Sequence, residues 1–193
     1  HAIGLGMDRR ESLHHPHASN GKRVRRQRTM IFRDKKSRKV LQSFLGKYLG
    51  KDLNSAVNNV HFQLGLDERG AYWGMRVDPG AWYDLNVLLK RAEEGPGRQE
   101  IVEACAKVDG FQLEIDRGGA RPLSAMTTRD WRDLAGTVRP GESGLEIVQR
   151  MSAEAVTAAE EDFGQGVCAD LLRLAPIYRL SCWSVDSPSG VSW

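Results

Sequence analysis

The 193-residue sequence has only three cysteines, at positions 105, 168 and 182, and no C-x-x-C pair. That excludes a disulfide-dense secreted scaffold and fits a reduced, cytoplasmic protein. No apolar run approaches the ~18 residues of a spanning helix, which excludes an integral membrane helix. Nucleotide loops are missing as well. No G-x-x-x-x-G-K-[ST] occurs, Gly4-Leu5-Gly6 has no third glycine, and Gly70, Gly74 and Gly80 do not fit a dinucleotide spacing. Ser143, in Gly141-Glu142-Ser143-Gly144, does not form a G-x-S-x-G elbow. No period of 20–50 residues repeats, and the only biased segment is one basic run. The sequence starts at His1 and not at Met, as expected if a natural N-terminus or a tag junction is missing.

What is present is a charge asymmetry. The formal net charge of +3 is the sum of unlike parts. Residues 1–50 hold 13 Lys and Arg against 3 Asp and Glu, a net of +10, and residues 51–193 hold 15 against 22, a net of −7. Residues 22–39 alone carry ten basic side chains and one acid, Asp34. Like charges at that density repel, so such a run is kept for solvent or for an anionic partner.

Residues 1–34 read as an irregular basic arm. From Lys35 the apolar positions Val40, Leu41, Phe44, Leu45, Tyr48 and Leu49 recur as one face of an amphipathic helix. Val60, Phe62, Leu64 and Leu66 alternate as a strand, Asp67-Glu68-Arg69-Gly70 turns, and Ala71, Trp73, Met75 and Val77 form the inner side of a second strand. Asp78-Pro79 is expected to cap a helix that ends at Glu94-Gly95-Pro96-Gly97, followed by a shorter helix from Gln99. Further strands are expected at residues 111–116 and 145–151, and Thr128 is expected to cap a brief helix. Ser152 is expected to cap a long helix bent near Gly164 and Gly166 and stopped by Pro176. Residues 177–183 fit either a strand or a terminal helix. The grouping argues for α+β: a single domain over residues 35–193 with helices on one face of a mostly antiparallel sheet of four to five strands.

Three segments carry a likeness. Arg33-Asp34-Lys35-Lys36 followed by a helix, the hairpin strand Tyr72-Trp73-Gly74-Met75 and a Pro-led helix resembles an uncharacterised bacterial α+β family of unknown function. Its members carry an R-F-x-x-D-K-like motif before such a hairpin. The likeness covers residues 31–93 and the late stretch with Pro176 and Tyr178. The chain has Lys36-Ser37-Arg38 where the family's motif continues Pro-Tyr-Lys. The resemblance implies a fold class and no established activity or catalytic residue.

Several residue groups are candidates for chemistry. His14, His15 and His17 form the densest cluster of metal-ligand types, but Pro16 prevents a helical presentation and a closed site needs four ligands. Cys105 and Cys168 are expected on inward helix faces, and Cys182 has only His61 as a conceivable base. Asp109, Glu114 and Asp116 are the carboxylates a metal-assisted hydrolase or nuclease would use, although Asp116 and Arg117 stand where such a site wants a lysine. Tyr72 and Arg76 share an outer strand face and are candidates for base stacking. Lys22, Arg23, Arg25, Arg26, Arg28, Arg33, Lys35, Lys36, Arg38 and Lys39 are the candidates for polyanion contact. No motif implies a cofactor. The reading that follows is a non-enzymatic binding module whose basic arm contacts nucleic acid or another polyanion. The alternatives are the carboxylate hydrolase and an interaction protein docking its arm on an acidic partner or a second copy.

Overall fold

The computed structural model describes residues 6–13, 26–116 and 118–184. Its strands are β1 (Met7–Leu13), β2 (Arg26–Arg33), β3 (His61–Asp67), β4 (Gly70–Val77), β5 (Gln112–Ile115), β6 (Arg121–Pro122) and β7 (Leu145–Met151). They form one sheet in the order β1-β2-β3-β4-β7-β5-β6, with every pairing antiparallel. The helices are α1 (Lys35–Leu49), α2 (Trp82–Glu93), α3 (Gly95–Cys105), α4 (Thr128–Thr137), α5 (Ala153–Ala159), α6 (Asp162–Arg173) and α7 (Ala175–Ser181). The class is α+β, as expected, with seven strands in place of four to five.

One sheet face carries the core. Phe62, Trp73, Met75, Ile147 and Leu113 alternate inward and meet Leu85 and Leu88 of α2, Ile101 of α3, Trp131 of α4 and Ile177 and Tyr178 of α7. Burying each such side chain contributes roughly 1.5–3 kcal/mol. Trp73 also donates its indole N–H to Asp170 of α6 at 2.9 Å, and its ring meets Phe163 edge-on.

The largest departure is at the N-terminus. The stretch expected to be an irregular arm contains two strands, so the sheet begins at Met7 and the domain does not start at residue 35. An edge strand takes its hydrogen bonds from one neighbour and needs no apolar alternation of its own. Hence Asp8, Arg9, Arg10 and Glu11 pair with Phe32, Ile31, Met30 and Thr29 in β2.

Other boundaries move for local reasons. Asp78 stands at the N-cap of a 3₁₀ turn at Pro79–Ala81 that leads into α2, as expected, but its side chain bonds Arg76 and makes no capping hydrogen bond. Pro96 opens α3 in its first turn, where a missing N–H costs nothing. Thr127, not Thr128, caps α4 in a reciprocal capping box with Asp130. Ser152 caps α5, but the break falls at Glu160, whose φ is 45°, and Gly164 and Gly166 sit within α6. Pro176 lies in the first turn of α7, so residues 177–183 are mostly helix. Among the described residues no helix is long and apolar enough to cross a membrane.

Candidate functional site

The second face of the sheet is polar, and the antiparallel register sets its composition. Opposite residues share a face, so one row runs Asp8–Phe32–His61–Arg76–Glu146–Glu114 across β1, β2, β3, β4, β7 and β5. The next runs Arg10–Met30–Gln63–Gly74–Val148–Gln112, and a third runs Ser12–Arg28–Gly65–Tyr72–Arg150. Ala56 and Val57, in a 3₁₀ turn at Ala56–Asn58, cover Met30 and Phe32.

The centre of this face is a buried polar network. The Arg76 guanidinium donates to Asp78 at 2.6 Å and to Glu146, and lies 3.8 Å from Asp116. Gln63 donates its amide to the other Glu146 oxygen. Burial alone lowers the Arg76 pKa, but Asp78 and Glu146 outweigh it and hold Arg76 charged. His61 is fully buried, with Nδ1 2.9 Å from the Asn59 carbonyl, which places the proton on Nδ1 and the lone pair on Nε2. That Nε2 lies 3.9 Å from Asp78 Oδ2. His61 Nε2, Asp78 Oδ2 and Gln63 Oε1 are all buried without a hydrogen-bond partner.

Burial pushes the His61 pKa below its usual value, over the opposing pull of the Asn59 carbonyl and Asp78; Arg28 and Arg76 push the same way as burial. The folded chain therefore holds His61 neutral where the unfolded chain protonates it, below pH ~6.5. Stability from this group is complete above that value and is lost as pH falls towards the lowered folded pKa. His61→Gln removes the titration. Its unfolding free energy is expected to fall less steeply than that of the wild type between about pH 6.5 and 5, by up to about 1.4 kcal/mol per pH unit. Parallel curves for the two proteins would exclude this origin.

At one end of the face the arginines gather around a tyrosine. The Tyr72 ring lies across Gly65, where an added Cβ would come within 2.2 Å of the ring. Arg26 stacks on Tyr72 with its guanidinium 4.6 Å from the ring centre and donates to the phenolic oxygen, and Arg150 lies 5.2 Å from the same centre. Arg150 also pairs with Asp67 at 3.2 Å. Arg10 is exposed and Arg28 half-buried, and among the described residues neither has an acidic partner. Leu13 and Arg26, which flank residues 14–25, both lie at this end of the sheet.

The expected polyanion residues do not form one patch. β2 divides the basic run, because eight extended residues separate Arg26 from Asp34 by about 25 Å. Arg33 is buried against Asp84 behind the sheet, and Arg38 is buried against Asp8 at 2.6 Å and the Arg33 carbonyl at 2.7 Å. Both hold the fold together and are removed from the patch. Lys35, Lys36 and Lys39 are exposed on α1, at the opposite end from Arg26. Lys22, Arg23 and Arg25, and the histidines 14, 15 and 17, lie outside the described residues. Tyr72 is fully buried beneath its arginines and presents no free ring to a base, and Arg76 is committed to carboxylates. Neither serves as the expected stacking pair.

The carboxylate site is not assembled. Glu114 lies opposite Glu146, Asp116 lies past the strand end and accepts from the Gly144 N–H at 2.7 Å, and Asp109 is exposed in the loop before β5. Among the described residues no three His, Cys, Asp or Glu side chains are placed to hold a metal ion. Cys168 is exposed, contrary to its expected inward face. Burial pushes the Cys105 thiol up to about 12 and the Cys182 thiol up to about 11. Cys182 sits with Arg33, Asp84 and Tyr178, whereas His61 faces Asp78, so the two are not a catalytic pair.

The network of His61, Gln63, Asp78 and Glu146 had one signal in the sequence, the polar alternation of three strands. Its assembly depends on register between strands up to 85 residues apart, from His61 to Glu146. No family model matches the chain, and the search of curated proteins found no match.

Proposed function

We propose that this chain is a non-enzymatic binding module for a polyanion, with single-stranded nucleic acid as the partner class, and that its contact surface is the arginine end of the polar sheet face. The observation that carries this is the pair Arg10 and Arg28, charged and without acidic partners among the described residues, beside Arg26 on Tyr72. Leu13 and Arg26, the last and first described residues on either side of positions 14–25, both lie at this end of the sheet. Guanidinium groups suit this task because each presents a planar fork of donors to phosphate oxygens. Arg26 is held in place by the ring beneath it and so loses little freedom on contact.

The test is a fluorescence-anisotropy titration with a labelled single-stranded oligonucleotide. If about four phosphates are neutralised, binding should weaken by about fifty-fold between 50 and 200 mM salt. Arg10→Ala with Arg28→Ala should weaken binding about tenfold and flatten the salt dependence by roughly two phosphate contacts. Absence of binding at about 50 mM salt would overturn the proposal. A salt-dependent fall from dimer to monomer in the same samples would then assign the cationic end to a second copy of the chain.

A further inference from the structure

Helix α1 is anchored on one side only. Leu41 and Leu45 pack on Leu53 and Tyr83, and Arg38 is tied to β1 and β2. The apolar side chains expected beside them turn outward. Val40 is 40% exposed, Phe44 52%, Tyr48 89% and Leu49 55%, leaving Leu66 and Leu172 as the other large apolar side chains so exposed among the described residues. Four of the six such side chains lie on this one helix, a concentration that isolated exposed side chains would not show.

Two further features belong to the same patch. Residues 35–51 contain no acid, and their five lysines, Lys35, Lys36, Lys39, Lys47 and Lys51, are all exposed with no acidic partner among the described residues. The helix also kinks at Gly46, whose φ is 77° although a Cβ there would meet nothing within 4 Å. The glycine therefore serves backbone conformation and not space. The kink separates the helical pair Val40 and Phe44 from the turn that carries Tyr48 and Leu49. Alongside, Lys36 and Val40 border a cleft of about 380 Å³ that Met7, Tyr178 and Trp183 also line. Trp183 packs against Phe44 with ring centres 4.8 Å apart.

We propose that α1 docks on an anionic bilayer surface, with Val40, Phe44, Tyr48 and Leu49 entering the headgroup boundary and the lysines meeting lipid phosphates and carboxylates. Charge complementarity selects this occupant. An apolar knuckle with five exposed lysines set between Asp34, whose carboxylate caps the helix at Ser37, and Asp52 matches an interface that is apolar below and negative above. Lysine stems extend along apolar surface while their ammonium groups stay in water, and tyrosine places a ring and a hydroxyl across the same boundary. Nucleic acid would use the charge but leave the exposed aliphatic groups in water. This surface is at the opposite end of β2 from Arg26, so it stands or falls separately from the polyanion reading.

The experiment is co-sedimentation of the full chain with vesicles of phosphatidylcholine alone, or with about a third phosphatidylserine, at about 150 mM salt. Binding is expected to the second and not the first. Phe44→Ser with Tyr48→Ser should reduce binding at least tenfold while lowering the melting temperature only slightly, through the ring contact of Phe44 with Trp183. Lys36→Glu, Lys39→Glu and Lys47→Glu together should abolish it, since each lysine near such a surface strengthens partition about fivefold. Arg10→Ala with Arg28→Ala should bind vesicles as the wild type does. Failure of the wild type to sediment with phosphatidylserine vesicles overturns the proposal and assigns the patch to a protein partner. Undiminished binding by the Phe44/Tyr48 variant also overturns it, because attraction would then be charge alone.

Discussion

Asp84→Ala is expected to destabilise the fold by about 3–5 kcal/mol, the cost of leaving a buried ionic partner without its counter-charge. Asp84 has no exposed surface, and Arg33, 3% exposed, donates to it. The carboxylate also accepts the Val60 N–H at 2.8 Å and the Trp183 N–H at 3.0 Å, so it joins β2, the start of β3 and the C-terminal end of the described chain through one group. Burial pushes the Asp84 carboxyl up, against the pull of Arg33 and those two N–H groups. Without Asp84, Arg33 retains the Trp183 carbonyl at 3.3 Å and the Tyr83 ring 5.4 Å away, and neither carries a full negative charge. Two N–H groups also lose their acceptor. Arg33→Met combined with Asp84→Leu should recover only the part of the loss due to the unpaired charge, because the Val60 and Trp183 N–H groups stay without their acceptor. Urea denaturation of the three proteins measures this. A single-variant loss below about 1 kcal/mol would mean that the pair is not the isolated ionic contact its burial describes.

The elements that were legible in the sequence are those whose own pattern decides them. Phe62, Leu64 and Leu66 alternate along β3, with Val60 just before it, and Trp73, Met75 and Val77 do the same after a turn ending in Gly70, so the β3–β4 hairpin could be read directly. β1 could not be read, because Asp8, Arg9, Arg10 and Glu11 carry no apolar period and the strand exists through pairing to β2. Helix α1 was read as a helix, yet its apolar stripe is wider than the surface that receives it. Leu41 and Leu45 are covered and Phe44 and Tyr48 are not. Periodicity reports which side chains share a face and cannot report whether a neighbour covers that face. The basic run presents the same difficulty. Its residues are contiguous in sequence, but alternation along β2 sends Arg28 to the polar face and Arg33 to the core side, where Asp84 takes it. Charge density along a chain therefore overstated the patch, and the burial of Arg33 and Arg38 is where it was spent.

Gly74→Ala is expected to cost of the order of 4 kcal/mol, combining backbone strain with a clash that no side-chain movement relieves. Gly74 lies in the middle of β4 with φ 154°, between Gln63 of β3 and Val148 of β7. A Cβ there would sit 1.9 Å from the Ile147 carbonyl oxygen and 2.9 Å from its carbon, both backbone of the neighbouring strand. Relief requires β4 and β7 to separate, which breaks the pairing that sets Arg76 opposite Glu146. Gly65→Ala supplies the contrast. The three atoms nearest the added methyl, at 2.2 to 2.6 Å, all belong to the Tyr72 side chain, which can shift where backbone of a paired strand cannot. Gly65→Ala should therefore cost about 1–3 kcal/mol and weaken oligonucleotide binding, whereas Gly74→Ala should lower the melting temperature by about 8–16 °C. A Gly74→Ala protein melting within about 2 °C of the wild type would show that β4 and β7 can part locally, and the Arg76–Glu146 contact would then have to be held by the side chains themselves.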